Sequence, residues 1–147
     1  MKYKLDSATI TDVDRLINYK KDTIFSSSDN LSNDEINKIN EYVINSVNKD
    51  INDYKIVILD NKKIGSLLIK NIDEGLFIDE IYLEKEYRFL GIGTSILKGI
   101  LEKHNDKDIY LWVYKNNNVA LSLYKKLDFI VKDETEYRYY MVHKSIH

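Results

Sequence analysis

Two glycines separated by one residue, Gly91 and Gly93, follow an arginine in the run Tyr87-Arg88-Phe89-Leu90-Gly91-Ile92-Gly93-Thr94. Glycine lacks the Cβ that holds a ligand away from the main chain, so a turn built on such a pair lets several N–H groups converge on an anion. A helix starting there adds the positive end of its dipole, and Arg88 brings a permanent charge that can pair with a phosphate oxygen. Two well-known phosphate loops do not fit. A dinucleotide fingerprint needs a third small residue where Ile96 stands and glycines directly after the strand, but Glu84, Lys85, Glu86 and Tyr87 intervene. A Walker loop needs Gly-Lys-Ser/Thr, which is absent. What remains is a phosphate cradle of another kind, or a plain strand-to-helix turn with an exposed arginine.

Composition removes other chemistries. The 147 residues include no cysteine, which excludes a disulfide framework, a thiolate metal site and a cysteine nucleophile. His104, His143 and His147 are not spaced as paired metal ligands on one helix, so no metal is expected. With 22 basic and 24 acidic residues the net charge is -2, leaving no basic excess to neutralise nucleic-acid phosphates. The N-terminal residues carry no apolar signal segment, and runs such as Ile56-Val57-Ile58-Leu59 are far too short to span a bilayer. The expectation is a cytoplasmic protein without membrane or nucleic-acid partners.

The elements that must position the glycine turn follow from periodicity and capping. Residues 2–7 read as an opening strand. Thr11, with Asp14 three residues on, reads as the cap of a first helix whose buried stripe is Val13, Leu16 and Ile17. Ser32 and Glu35 form a stronger capping box, after which Ile36, Ile39, Val43 and Val47 recur at helical spacing to about residue 49. Strands are expected at 54–59, 64–70 and 76–83, joined by short turns that make them antiparallel neighbours. A helix over 93–104, a strand over 109–114, a helix over 117–126 and closing strands at 129–133 and 137–143 complete the order β-α-α-β-β-β-α-β-α-β-β. That order implies one α/β (α+β) domain, 1–147, with a mixed, mostly antiparallel sheet flanked by helices. The last strand, if exposed, offers an edge to a second copy and so a homodimer.

Two stretches carry a family resemblance. Arg88-Phe89-Leu90-Gly91-Ile92-Gly93 resembles the Arg/Gln-x-x-Gly-x-Gly/Ala element of the GNAT N-acetyltransferase family. Residues Leu111 to Phe129 resemble its second signature, Leu-x-Val-x-x-x-Asn-x-x-Ala-x-x-Leu-Tyr-x-Lys-x-Gly-Phe, with Asp128 in place of the glycine. The likeness is sharp over 76–129. It implies acetyl-CoA as co-substrate, with the main chain of Arg88, Phe89, Leu90, Gly91, Ile92, Gly93 and Thr94 on its diphosphate. Its pantetheine arm would lie between two splayed parallel strands, bonded to the backbone of Ile81 and Leu83. Asn117 aligns with an asparagine that touches that arm, although an N-cap alone would also explain it.

The same resemblance makes Tyr124 the general acid beside the coenzyme sulfur, although a helix tyrosine among 12 in the chain is ordinarily a packing residue. It makes Glu80 the base or amine anchor, with Asp79 as its competitor should a bulge exchange which of them faces inward. Trp112 reads as a sheet-packing aromatic. The implied reaction is direct acetyl transfer to a primary amine of a small molecule or peptide. A non-catalytic acyl-CoA sensor with the same cleft is the alternative. Asp128 sits where a helix end often needs left-handed backbone, which aspartate tolerates less well than glycine.

Overall fold

The computed structural model describes residues 2–146; His147 therefore lies outside the described residues. Its seven strands are hydrogen-bonded in the order β1-β2-β3-β4-β5-β7-β6. They are β1 Tyr3–Ser7, β2 Tyr54–Leu59, β3 Lys62–Ile72, β4 Gly75–Leu83, β5 Ile109–Tyr114, β6 Ile130–Glu134 and β7 Arg138–His143. The helices are α1 Val13–Ser26, α2 Asn33–Asp50, α3 Ile92–Lys103 and α4 Asn118–Lys126. This is the expected α/β order, mostly antiparallel, with β4 and β5 as a parallel pair. The chain gathers into two compact units: the residues up to Leu68 with Tyr82–Glu86, and Ile69–Ile81 with the chain from Tyr87 onward.

In the first unit α1 and α2 bury Leu16, Tyr19, Val43 and Val47 against Tyr54, Ile56 and Leu68. Ser32 and Glu35 close the expected capping box on α2. At α1 the box lies two residues earlier than expected. A 3₁₀ turn, Ile10–Asp12, precedes the helix, and the Thr9 N–H donates to Asp12 Oδ2 at 2.9 Å. Both Thr9/Asp12 and Thr11/Asp14 have the required spacing; the first wins because the buried Asp12 also accepts from Lys63 Nζ at 2.7 Å. The buried stripe shifts accordingly to Leu16, Tyr19 and Lys20, with Val13 and Ile17 only half-buried.

The β2–β3 turn needs just two residues. Asp60 (φ 50°) and Asn61 (φ 64°) both take left-handed backbone, as a type I′ hairpin demands, so Lys62 and Lys63 join β3. In the second unit Gly75, at φ 152°, opens β4, where a Cβ would lie 2.2 Å from the Asp108 carbonyl oxygen. The expectation about the last strand is corrected. β7 is antiparallel to both β5 and β6 and therefore sits inside the sheet, and β6 is the edge. β6 also has a register shift between Val131 and Asp133 and carries Lys132, Asp133 and Glu134, features that discourage edge pairing.

Ser66 on β3 is fully buried, and its hydroxyl is without a hydrogen-bond partner. An unsatisfied buried hydroxyl costs about 1–3 kcal/mol. Ser66→Ala is therefore expected to raise stability by about 1 kcal/mol after the small packing loss; urea unfolding checks this, and a lower midpoint would contradict it.

Candidate functional site

The β4–β5 ladder pairs Leu76 with Ile109, Phe77 with Tyr110 and Ile78 with Leu111, then stops. β4 nevertheless continues to Leu83 and β5 to Tyr114. The cause lies in the main chain of β4. The Leu76 N–H donates to Asp108 O at 2.9 Å, so in a regular strand every even residue of β4 would turn its polar groups the same way. Eight residues on, the Glu84 N–H donates instead to Ile64 O of β3 at 2.8 Å. The Tyr82 carbonyl also points at β3, where it lies 2.1 Å from the position a Cβ on Gly65 would occupy. The parity has reversed, which requires one irregular residue between Ile78 and Tyr82. Ile81 falls in the second unit and Leu83 in the first, although they are two residues apart.

The chain then makes a 3₁₀ turn, Lys85–Tyr87, and enters the glycine loop. Phe89 (φ 63°) and Gly91 (φ 86°) take left-handed backbone on either side of Leu90, and Gly91 caps α3. Left-handed residues set among right-handed ones turn successive N–H groups to one side and form an anion-binding concavity. Nothing lies within 4 Å of where a Cβ on Gly91 would be. Phe89 and Leu90 are 82% and 51% exposed, so the loop is not sealed by its own side chains. α3 begins at Ile92, one residue earlier than its expected start, because the Ser95 N–H reaches Gly91 O at 3.0 Å. The amides of Ile92, Gly93 and Thr94 thus form the first turn of that helix, whose N–H groups have no intrahelical acceptor.

Tyr124 sits on α4, buried, with its ring 5.6 Å from that of Phe129. Burial pushes its phenol up to about 12. Asp128, at φ 70°, occupies the left-handed position expected after α4, and this lets the Phe129 N–H reach Tyr124 O at 3.0 Å.

Asn117 is the N-cap of α4, its side-chain oxygen accepting from the Ala120 N–H at 3.2 Å. Glu80 is half-buried on β4. Asp79, its competitor, is engaged by Lys70 Nζ at 3.1 Å. Trp112 lies under the Arg138 guanidinium (4.5 Å) and beside Tyr140 (4.7 Å), which is sheet packing. Glu80, Ile81, the loop from Arg88 to Thr94, Asn117 and Tyr124 all belong to the second unit. Among the described residues no group of three His, Asp or Glu side chains could hold a metal ion, and no helix is long and apolar enough to cross a membrane.

The sequence reading missed a polar cluster in the first unit. Glu84 accepts a short hydrogen bond from the Tyr19 hydroxyl and pairs with Arg15 Nη1 at 3.3 Å. Tyr19 stacks on Tyr82 at 4.4 Å, and the Tyr82 hydroxyl donates to Asp22 Oδ2 at 2.6 Å. Burial, reinforced by the hydrogen bond to Glu84, raises the Tyr19 phenol above its ordinary value. No local spacing announces contacts between residues sixty apart. Gly65 was legible in principle, because a lone glycine inside a strand signals a bulge or a close backbone approach.

With this geometry in place, similarity to known proteins can be read. Residues 23–129 match the acetyltransferase (GNAT) family. A stretch of 49 residues is 45% identical to an N-alpha-acetyltransferase of Sulfurisphaera tokodaii, covering 31% of this chain and 29% of that protein. Another of 66 residues is 29% identical to a probable spermine N(1)-acetyltransferase of Bacillus subtilis subsp. natto, covering 42% and 43% of the two chains. The matched stretches thus span less than half the length of these relatives. The PaiA N-acetyltransferase of Thermoplasma acidophilum, solved in complex with coenzyme A, has a similar fold. Its TM-score is 0.72 at 22% identity, over 98% of this chain and 99% of that one.

Two outcomes are expected. Gly65→Ala should destabilise the fold by about 2 kcal/mol or more, because the added methyl meets main chain that cannot rotate away; thermal unfolding measures it. The raised phenol of Tyr124 favours its protonated form in the folded state. Its contribution is therefore complete below about pH 10 and is lost as pH rises from 10 towards 12. Between about pH 9 and 11.5 Tyr124→Phe should lose about 1–2 kcal/mol less stability than the parent; equal losses in urea unfolding would contradict this.

Proposed function

Because the chain belongs to the acetyltransferase (GNAT) family, we propose that residues 1–147 act as one N-acetyltransferase domain. It moves an acetyl group from acetyl-CoA to a primary amine of a small molecule or protein. The observation that carries this reading is the β4–β5 ladder that ends at Ile78 and Leu111, followed in the chain by an open left-handed glycine loop at a helix N-terminus. An interrupted ladder leaves main-chain groups for an extended amide-bearing arm, and the loop supplies amides for a diphosphate; acetyl-CoA has both parts in sequence. The main chain of Ile81 and Leu83 takes the pantetheine. The amides of Phe89 to Thr94, with the Arg88 charge, take the diphosphate. Asn117, already the cap of α4, keeps its side-chain amide N–H groups for the same arm.

The chemistry needs a deprotonated amine, since a free alkylamine has a pKa near 10. Glu80, directly or through water, accepts the proton as the nitrogen attacks the thioester carbonyl. The C–S bond then breaks and its electron pair goes to sulfur. Tyr124 donates its proton to the thiolate, and a phenol that burial keeps protonated is suited to that role. No cysteine is available for an acyl-enzyme intermediate, which fits direct transfer. The two curated relatives are named for amine acceptors, an N-terminus and a polyamine, and this supports the amine class.

Steady-state kinetics against an amine library, with thiol release as readout, tests the reading. Tyr124→Phe should lower kcat by about 10²-fold with the KM for acetyl-CoA little changed, and Glu80→Gln should slow turnover across roughly pH 6 to 9. Binding of acetyl-CoA without turnover on any amine would instead favour the sensor. Absence of binding at millimolar acetyl-CoA would remove both readings.

A further inference from the structure

The two edges of the sheet are built differently. β6 is bulged and charged, whereas β1 runs regularly along β2 from Tyr3↔Leu59 to Ser7↔Lys55 with no register shift. The Ala8 N–H donates to Tyr54 O at 3.0 Å, which fixes the parity of this strand. Even-numbered residues turn their main-chain groups to β2, and odd-numbered residues turn theirs outward. Leu5, 38% exposed, thus presents its N–H and C=O along the outer edge. On either side of it Lys4 and Asp6 share one face, 64% and 54% exposed, held together only loosely at 3.8 Å.

The geometry points to β1 as a self-complementary edge that pairs, antiparallel and across a two-fold axis at Leu5, with β1 of a second copy of this chain. A two-fold antiparallel pairing can be centred on any one residue, and charge selects among the choices. Centred on Leu5, all five residues of β1 overlap: Leu5 meets Leu5, Tyr3 meets Ser7, and each Lys4 meets the Asp6 of the other copy. Centred on Lys4 or on Asp6, like charges face each other and the overlap shortens. The main-chain pattern agrees with the favoured register. Leu5, an outward residue, falls at a hydrogen-bonded pair, and the Lys4–Asp6 pairs fall at non-hydrogen-bonded positions, where facing side chains come closest. Lysine on a lone edge normally discourages association; here its partner carboxylate is supplied by the same five residues of the second copy. The contact is small by the standard of stable complexes, so the dimer is weak and concentration-dependent.

Sedimentation velocity on the full chain over a concentration series tests this without reference to enzyme activity. The parent should show a reversible monomer–dimer equilibrium. Lys4→Asp and Asp6→Lys should each raise the dimer dissociation constant by about tenfold or more, because facing charges become alike. An equimolar mixture of the two variants should dimerise again, since one then presents two carboxylates and the other two ammonium groups. That rescue also excludes misfolding as the cause of the single-variant losses. Lys132→Asp on the β6 edge should leave the equilibrium unchanged. A parent that stays monomeric to about millimolar concentration, or single variants that dimerise like the parent, would overturn the proposal.

Discussion

Main-chain polar groups must find partners, and the most consequential place where this chain redirects them is the middle of β4. Up to Ile78 the strand bonds to β5 as a parallel neighbour should. By Tyr82 its carbonyl faces β3, and Glu84 is bonded to Ile64. Three residues, Asp79, Glu80 and Ile81, lie between these two arrangements and absorb the reversal. The ladder to β5 ends there because its donors and acceptors have turned away. The end of the β4–β5 pairing is therefore a matter of hydrogen-bond parity.

That reversal depends on a side chain that is missing. The Tyr82 carbonyl stands where a Cβ of residue 65 would be, so only glycine on β3 admits it. Within the first unit Tyr82 also stacks on Tyr19, and Glu84 joins Tyr19 and Arg15 in one polar cluster. Glycine contributes by close approach at Gly65 and by positive φ at Gly91, two different uses of the same absent Cβ. The glycine loop after β4 and the buried phenol on α4 are ordinary features taken singly. Their occurrence with an interrupted parallel ladder is what the proposed function rests on, since it assigns an extended arm, a diphosphate and a leaving thiolate to these three features.

The element order, the capping box at Ser32 and the left-handed position of Asp128 were legible because each follows from interactions within a few residues. The loop was legible for the same reason: Gly91 caps the helix that the pattern predicted, one residue early. The misplaced cap at Thr11 shows where local reading stops. Two overlapping Thr-x-x-Asp boxes are equivalent in sequence, and Lys63, fifty-one residues away, decides between them by binding Asp12. The ion pair of Asp79 has the same form, since its partner Lys70 lies on the neighbouring strand β3.

By itself the sequence determined which segments are helix or strand, where the glycine turn lies, and which family signatures the chain carries, since all of these are short-range patterns. Tertiary structure decided which strand is an edge, where the parallel ladder ends and that Asp79 pairs with Lys70. It also decided that the Tyr124 ring is buried beside Phe129. Each of these depends on groups distant in sequence competing for the same hydrogen bonds, charges and space. That competition is resolved only when the chain is folded.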